Sequence, residues 1–436
     1  MYMREQFGNT PNVEKIKSQE LIHVANSNEK VNELMVEALK ERHGRKIFHD
    51  PQHTLGDGET LDLTSVRGGI VHLSAFLKES FPQSLRGKEG TLALMEKAME
   101  AGVIAHDVVI EIDGVNKDGM IQRRRGWKDG GNERESFKLL RKEFLQAYAG
   151  DGLDQFTPQE EEMLHSILTD ENAPEFDAAY TQYMESAERV VGGTEPDAMN
   201  FWYPVDYETY LSDYPSEVLD CLKAIKWTEE NPEFNCFSID STKTQTSLEG
   251  LLGSTADLGA VSNPEFFAQS GNAEFWELQY AMAKDCAAFL KNNDALSDSR
   301  VAIITHAMRG WRRTQVGVAV GQKVRLEEKY TPENISQLFG INFGTVPYEG
   351  EVETFIGNIK ESFSEIDRSV TLCADIYTEF SERFEPLLNL EPGPLSDENK
   401  ALFVEAIQYM NADETLLANY VAHVDEELEK LKENGV

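Results

Sequence analysis

The feature that most limits what this chain can fold into is a spacing. Apolar residues recur three and four positions apart along most of its length, and no segment of useful length alternates apolar with polar residues. Val24, Val31, Leu34, Met35 and Leu39 predict an N-terminal amphipathic helix ending near Gly44. The same periodicity predicts helices over Gly68–Ser80, Thr91–Ala101, Asn132–Ala147, Asn272–Asn292, Ser297–Trp311 and Val352–Phe384. Pro158–Leu168 adds start signals: Thr157 as N-cap, Pro158 at the first helical position, and Glu160 and Glu161 in the first turn. The best strand, Val108–Ile112, is too short to carry a sheet, which leaves at most a small hairpin within Asp113–Trp127. The expected fold class is all-α.

With 436 residues the chain is long enough for one large domain with appendages or for two. An apolar content of 40% is ordinary for a folded globular chain. No apolar run is long enough to cross a bilayer, and the first residues lack the apolar core of a signal peptide. Cys221, Cys236, Cys286 and Cys373 are widely spaced with no C-x-x-C, the pattern of free thiols in a reducing cytoplasm. Forty-one basic residues stand against 77 acidic ones, for a net charge of −36. Such a surface repels polyanions and argues against general nucleic-acid binding. It does not exclude a small phosphorylated substrate, because local basic residues or a metal can reverse the sign inside a cleft.

Loops rich in Gly, Asp and Asn fall at Leu55–Ser65, Asp113–Asn132 and Val191–Asp197. Leu390–Asn399 stops one helix with two prolines and offers Ser396 as the cap of the next. These breaks divide the chain into an N-terminal helix (1–44), a central domain (45–347) and an acidic C-terminal helical appendage (348–436). The amphipathic acidic helices of the appendage suit self-association. ILTDENAPEFD (Ile167–Asp177) is echoed by IKWTEENPEFN (Ile225–Asn235), but two copies make no solenoid.

Chemistry-bearing residues gather in a few phrases. FHDPQHT (Phe48–Thr54) holds His49 and His53. AGVIAHDVVIE (Ala101–Glu111) holds His106 and Asp107 after a small apolar helix, with Glu111 one turn on. LLGSTADLGAV (Leu251–Val261) places Asp257 in apolar surroundings, where an ionised carboxylate needs a cation or a donor; alone, it reads more readily as a helix-terminal or turn Asp. Imidazole and carboxylate together suit Zn, Mn, Fe, Ni or, with more oxygen ligands, Mg, and a catalytic ion needs at least three protein ligands.

In this order the phrases resemble the HD-domain superfamily of metal-dependent phosphohydrolases. FHDPQHT is similar to a Tyr/Phe-His-Asn-x-x-His-Thr phrase of one branch, AGVIAHD to the helix carrying the paired ligands, NERES (Asn132–Ser136) to an Asn-Glu-x-x-Ser phrase, and ADLGAV to the segment of the last ligand. The likeness spans Phe48 to Gln269. It implies an HD-like helical bundle with inserted helices over 45–347, and a divalent metal ion held by His53, His106, Asp107 and Asp257. It further implies His49 as proton donor to the leaving oxygen, and Glu133 as a supporting or second-metal carboxylate. Glu111 faces the same cleft in this reading and orients water.

The sequence departs from that family where LGDGETLDLTS follows His53, and VRGGIVHL then supplies His72 as a rival first ligand. Arg123, Arg124 and Arg125 are read either as a phosphate clamp or as a solvated loop paired with surface acids. Arg309, Arg312 and Arg313 flank Trp311 either to stack on a base or to pack arginine stems over the indole. Three expectations follow: a hydrolase acting on a small phosphate ester, a degenerate HD fold that binds a ligand or protein without catalysis, or an acidic helical scaffold.

Overall fold

The computed structural model describes residues 66–106, 131–149, 178–194, 247–278, 298–390 and 394–410. Among these the protein is all-α: twelve helices and one 3-10 turn, with no strand. The expected helix before Gly44, the hairpin region and the helix over Pro158–Leu168 lie outside the described residues.

The helices are α1 (Val66–Ser80), α2 (Glu89–Ala105), α3 (Gly131–Ala149), α4 (Ala178–Gly193), α5 (Leu248–Asp257) and α6 (Pro264–Leu278). They continue as α7 (Asp298–Glu328), α8 (Pro332–Phe343), α9 (Glu349–Ser362), α10 (Ile366–Arg383), α11 (Glu385–Leu388) and α12 (Asp397–Met410). The 3-10 turn Gly259–Ser262 joins α5 to α6.

Helix α5 is the centre. All ten of its residues are buried, and α1, α2, α4 and α8 pack around it. Leu248, Leu251 and Leu252 are fully sequestered, each contributing about 2 kcal/mol of burial. Its start is fixed locally: Ser247 is extended and its hydroxyl accepts the Gly250 N–H at 3.1 Å. Neighbours come closer than side chains normally allow. A Cβ on Gly193 would lie 2.5 Å from the Gly250 carbonyl oxygen, and one on Gly69 would lie 3.2 Å from Ala256. Glycine at these positions is what lets α4 and α1 rest on α5.

Helix α7 is longer than its periodicity predicts. The expectation ends at Trp311, yet the helix runs on to Glu328 through TQVGVAVGQKVR. Gly and β-branched residues weaken that stretch in isolation. Burial of Val316, Ala319, Val320 and Val324 in the main core overrides the propensity. Conversely, the single helix expected over Val352–Phe384 is two, α9 and α10, separated at Phe363–Glu365. Phe363 and Ile366 both turn into the core there, and no Gly or Pro announces the bend.

Residues 349–383 fall in the segment expected as an appendage, but they pack as core. Phe355, Ile359, Val370 and Cys373 join one cluster with Leu73, Leu77 and Phe81. The Phe81 ring lies 4.7 Å from that of Phe339 and 5.3 Å from that of Phe355. Glu351 in the first turn of α9 accepts the Gln83 N–H at 2.7 Å and the Ser84 N–H at 3.3 Å, and Asn358 donates to Ser80 Oγ at 3.1 Å. A second cluster gathers Val301 and Met308 of α7 with Phe380, Phe384, Leu387, Phe403 and Ile407. The break before α12 is as expected, with Ser396 Oγ accepting the Asn399 N–H at 3.1 Å. No described helix is long and apolar enough to cross a membrane.

Candidate functional site

His106 follows the last residue of α2, and Asp257 is the last residue of α5. Packing α2 against α5 brings their C-terminal ends together. His106 Nε2 lies 3.1 Å from Asp257 Oδ1. The residues are 4% and 7% exposed, so the pair sits inside the protein.

Two features make this pair chemically unusual. First, His106 Nδ1 lies 2.5 Å from the Val103 carbonyl oxygen. A carbonyl oxygen only accepts, so Nδ1 must carry the proton. The other nitrogen then faces a carboxylate. With Nδ1 protonated, Nε2 meets the carboxylate as an imidazolium donor, or it offers a lone pair that a shared proton or a cation takes up. Second, Asp257 stands at a helix C-terminus, where the peptide dipoles already concentrate negative charge. An ionised carboxylate buried there needs a cation or a hydrogen-bond donor nearby.

Such a cation is Arg325 on α7, which is 1% exposed. Its Nη1 donates to Ser254 O at 2.7 Å and to Gln322 Oε1 at 2.6 Å. Gln322 Nε2 donates to Thr255 O at 3.2 Å. Burial pushes the guanidinium down to about 10, while the Tyr330 hydroxyl and the Asp257 carboxylate favour its charged form. The Tyr330 hydroxyl lies 2.7 Å from Thr255 Oγ1. Burial pushes that phenol well up, so it stays a neutral hydrogen-bonding group.

Of the residues named from sequence, His106 and Asp257 come together. Glu133 is buried in the first turn of α3, a helix packed on α2 and α4. The rival ligand His72 is half-buried on α1, with its ring edge-on to Phe76 at 4.1 Å. His49, His53, Asp107, Glu111, Arg123, Arg124 and Arg125 lie outside the described residues. Among the described residues no three His, Cys, Asp or Glu side chains gather to hold a metal ion. The two donors are nonetheless of types that a divalent ion accepts. Two ligand atoms at right angles about an ion, each about 2.1 Å from it, lie about 3 Å apart. A histidine ligand also commonly donates its second N–H to a backbone carbonyl, as His106 does to Val103.

The Arg–Trp cluster of α7 packs rather than stacks on a ligand. Trp311 Nε1 donates to Gly271 O, Arg312 is buried with Nη1 on Ala268 O at 3.1 Å, and Arg309 lies over the Tyr377 ring. Sequence reasoning passed over Gln322, Arg325 and Tyr330. The signal available was a Gln and an Arg three apart, on one helix face, directly after the apolar run Val316–Gly321.

Comparison of the chain with family models, with curated proteins and with solved structures returned no match.

Proposed function

We propose that the protein is an HD-type metal-dependent phosphohydrolase that hydrolyses a phosphate ester on a small molecule, nucleotides included. The observation that carries this reading is the 3.1 Å approach of His106 Nε2 to Asp257 Oδ1. These residues come from two phrases far apart in sequence, and the resemblance names both as ligands of one ion. In this reading His106, Asp257, Asp107 and His53 hold a divalent ion (Mn, Fe, Zn, Ni or Mg). When bound, the ion supplies a water acidified toward a pKa of about 7 and polarises the phosphorus–oxygen bond.

The chain's own residues do the rest. Val103 fixes the His106 tautomer through Nδ1. Arg325 brings positive charge into the electrostatic reach of Asp257. His49 gives the proton to the leaving oxygen, and Glu111 orients the water. Glu133 supports the ligands, and Arg123, Arg124 and Arg125 hold the phosphate against the overall negative charge.

One observation favours a second reading, a helical module that binds a ligand or partner without catalysis. His106 and Asp257 are already in contact and sealed from solvent. That arrangement also fits an imidazolium–carboxylate ion pair.

Elemental analysis separates the two. Untagged protein incubated with Mn, Zn, Fe and Mg is compared with Asp107→Ala and Asp257→Asn. Near-stoichiometric metal in the wild type that is lost in both variants supports the hydrolase, and a phosphoester screen with that metal follows. Equal, negligible metal in all three sinks it in favour of the binding module.

A further inference from the structure

Helix α7 carries a mirror-image arrangement of buried polar residues: Arg312 and Gln315, then Gln322 and Arg325. In each pair the guanidinium donates to the glutamine Oε1, at 3.0 Å for Arg312 and 2.6 Å for Arg325. Each side chain then reaches a neighbouring backbone. Arg312 and Gln315 donate to Ala268 O and Phe267 O, both at 3.1 Å. Gln322 and Arg325 donate to Thr255 O at 3.2 Å and Ser254 O at 2.7 Å. The four carbonyls bracket the turn from Leu258 to Asn263, and Ser369 of α10 donates to Val261 O at 2.7 Å in its middle.

The two pairs differ in what they hold. Phe267 and Ala268 lie within α6, where helix hydrogen bonds already satisfy carbonyls. Ser254 and Thr255 belong to the last turn of α5, where an α-helix turns its carbonyls toward donors outside it. The next residues along are Ala256 and Asp257. Fixing that last turn fixes where the Asp257 carboxylate can be.

We propose that Gln322 and Arg325 are positioning residues that hold the last turn of α5 so that the Asp257 carboxylate meets His106. The proposal deepens the metal-site reading and rests on it for its functional meaning, but the positioning itself is measured without metal. A glutamine is needed because its amide accepts from Arg325 and donates to Thr255 at once. A lysine in place of Arg325 keeps the charge and lacks the fork.

The test is histidine-selective ¹⁵N NMR at fixed pH on metal-free protein, with the His106 signal identified by its loss in His106→Gln. Nine histidines keep the spectrum simple enough for this. Gln322→Met is compared with Gln315→Met, which breaks the equivalent pair at α6. The expected result is that Gln322→Met displaces the His106 ring signals while Gln315→Met leaves them in place, even where thermal stability falls equally. Where the wild type binds Mn²⁺, Gln322→Met weakens it at least tenfold and Gln315→Met leaves it within twofold. Should Gln322→Met fail to fold, Arg325→Lys is read the same way. Unmoved His106 signals in the folded variants, or equal displacement by both glutamine changes, overturns the proposal. Absence of metal from the wild type counts against the phosphohydrolase instead, and leaves the ring-signal comparison to decide positioning.

Discussion

The two ends of α5 each bury a carboxylate, and they are solved in opposite ways. Glu249 stands in the first turn, where the helix dipole welcomes negative charge. It is 1% exposed and surrounded by donors: Arg189 Nε at 2.9 Å and Nη2 at 2.8 Å, Ser186 Oγ at 3.2 Å, and the Asn342 amide. These join α4, α5 and α8. Nothing about Glu249 asks for a ligand. Asp257, at the other end, stands where the dipole opposes it and faces a histidine whose other nitrogen is committed to a carbonyl. The contrast separates a carboxylate matched to its local field from one set against it. Both carboxylates are buried, so burial does not discriminate; the match between the carboxylate and its local field does.

The sharpest way to break this comparison is to neutralise each end in turn. Glu249→Ala leaves several donors facing an emptied site and is expected to cost about 3 kcal/mol in chemical denaturation. Arg189 is partly exposed and recovers some hydration, which keeps the loss from being larger. Asp257→Asn removes charge from a position the dipole opposes and keeps an amide beside His106, and is expected to cost less than Glu249→Ala in metal-free protein. Equal losses at the two ends would mean that Asp257 is as structural as Glu249.

A middle-sized effect comes from the close approaches. Gly193→Ala drives a Cβ into the Gly250 backbone at the N-terminal end of α5 and is expected to cost about 2 kcal/mol. Gly69→Ala, against Ala256 at the other end, meets a looser contact and is expected to cost less than half as much. Reversal of that order in thermal melts would show that α1, not α4, is the tighter neighbour of α5.

The smallest effect belongs to Tyr330→Phe. It removes the hydroxyl that meets Thr255 Oγ1 and is expected to cost about 1 kcal/mol. Because Thr255 Oγ1 also bonds Leu251 O at 2.8 Å, the threonine stays held and His106 ring signals should not move. A displacement of those signals would extend the positioning role from Gln322 and Arg325 to Tyr330.

Much of the helical architecture was legible in the sequence, because helix formation is local. α1 and α3 lie almost where periodicity puts them, and α12 starts behind the Ser396 cap. The site was legible only as a set of residue types. His106 and Asp257 could be named from the phrases that carry them, but Asp257 also had an ordinary reading as a helix-terminal or turn residue. The separation of α9 from α10 and the extension of α7 were not legible. Both depend on which side chains find a core, and neither leaves a Gly or Pro signature.

The sequence by itself determined an all-α chain, the ends of several helices and the short list of side chains able to do chemistry. Hydrogen-bonding caps, apolar period and residue chemistry act within a few positions of one another, and a sequence displays those positions directly. Only the tertiary structure decided that α5 is the buried centre, that residues 349–383 belong to its core, and that His106 meets Asp257 beneath Gln322 and Arg325. These outcomes depend on helices far apart in the chain sharing one interior. There, the field around a carboxylate is set by whichever backbone ends and side chains packing brings beside it.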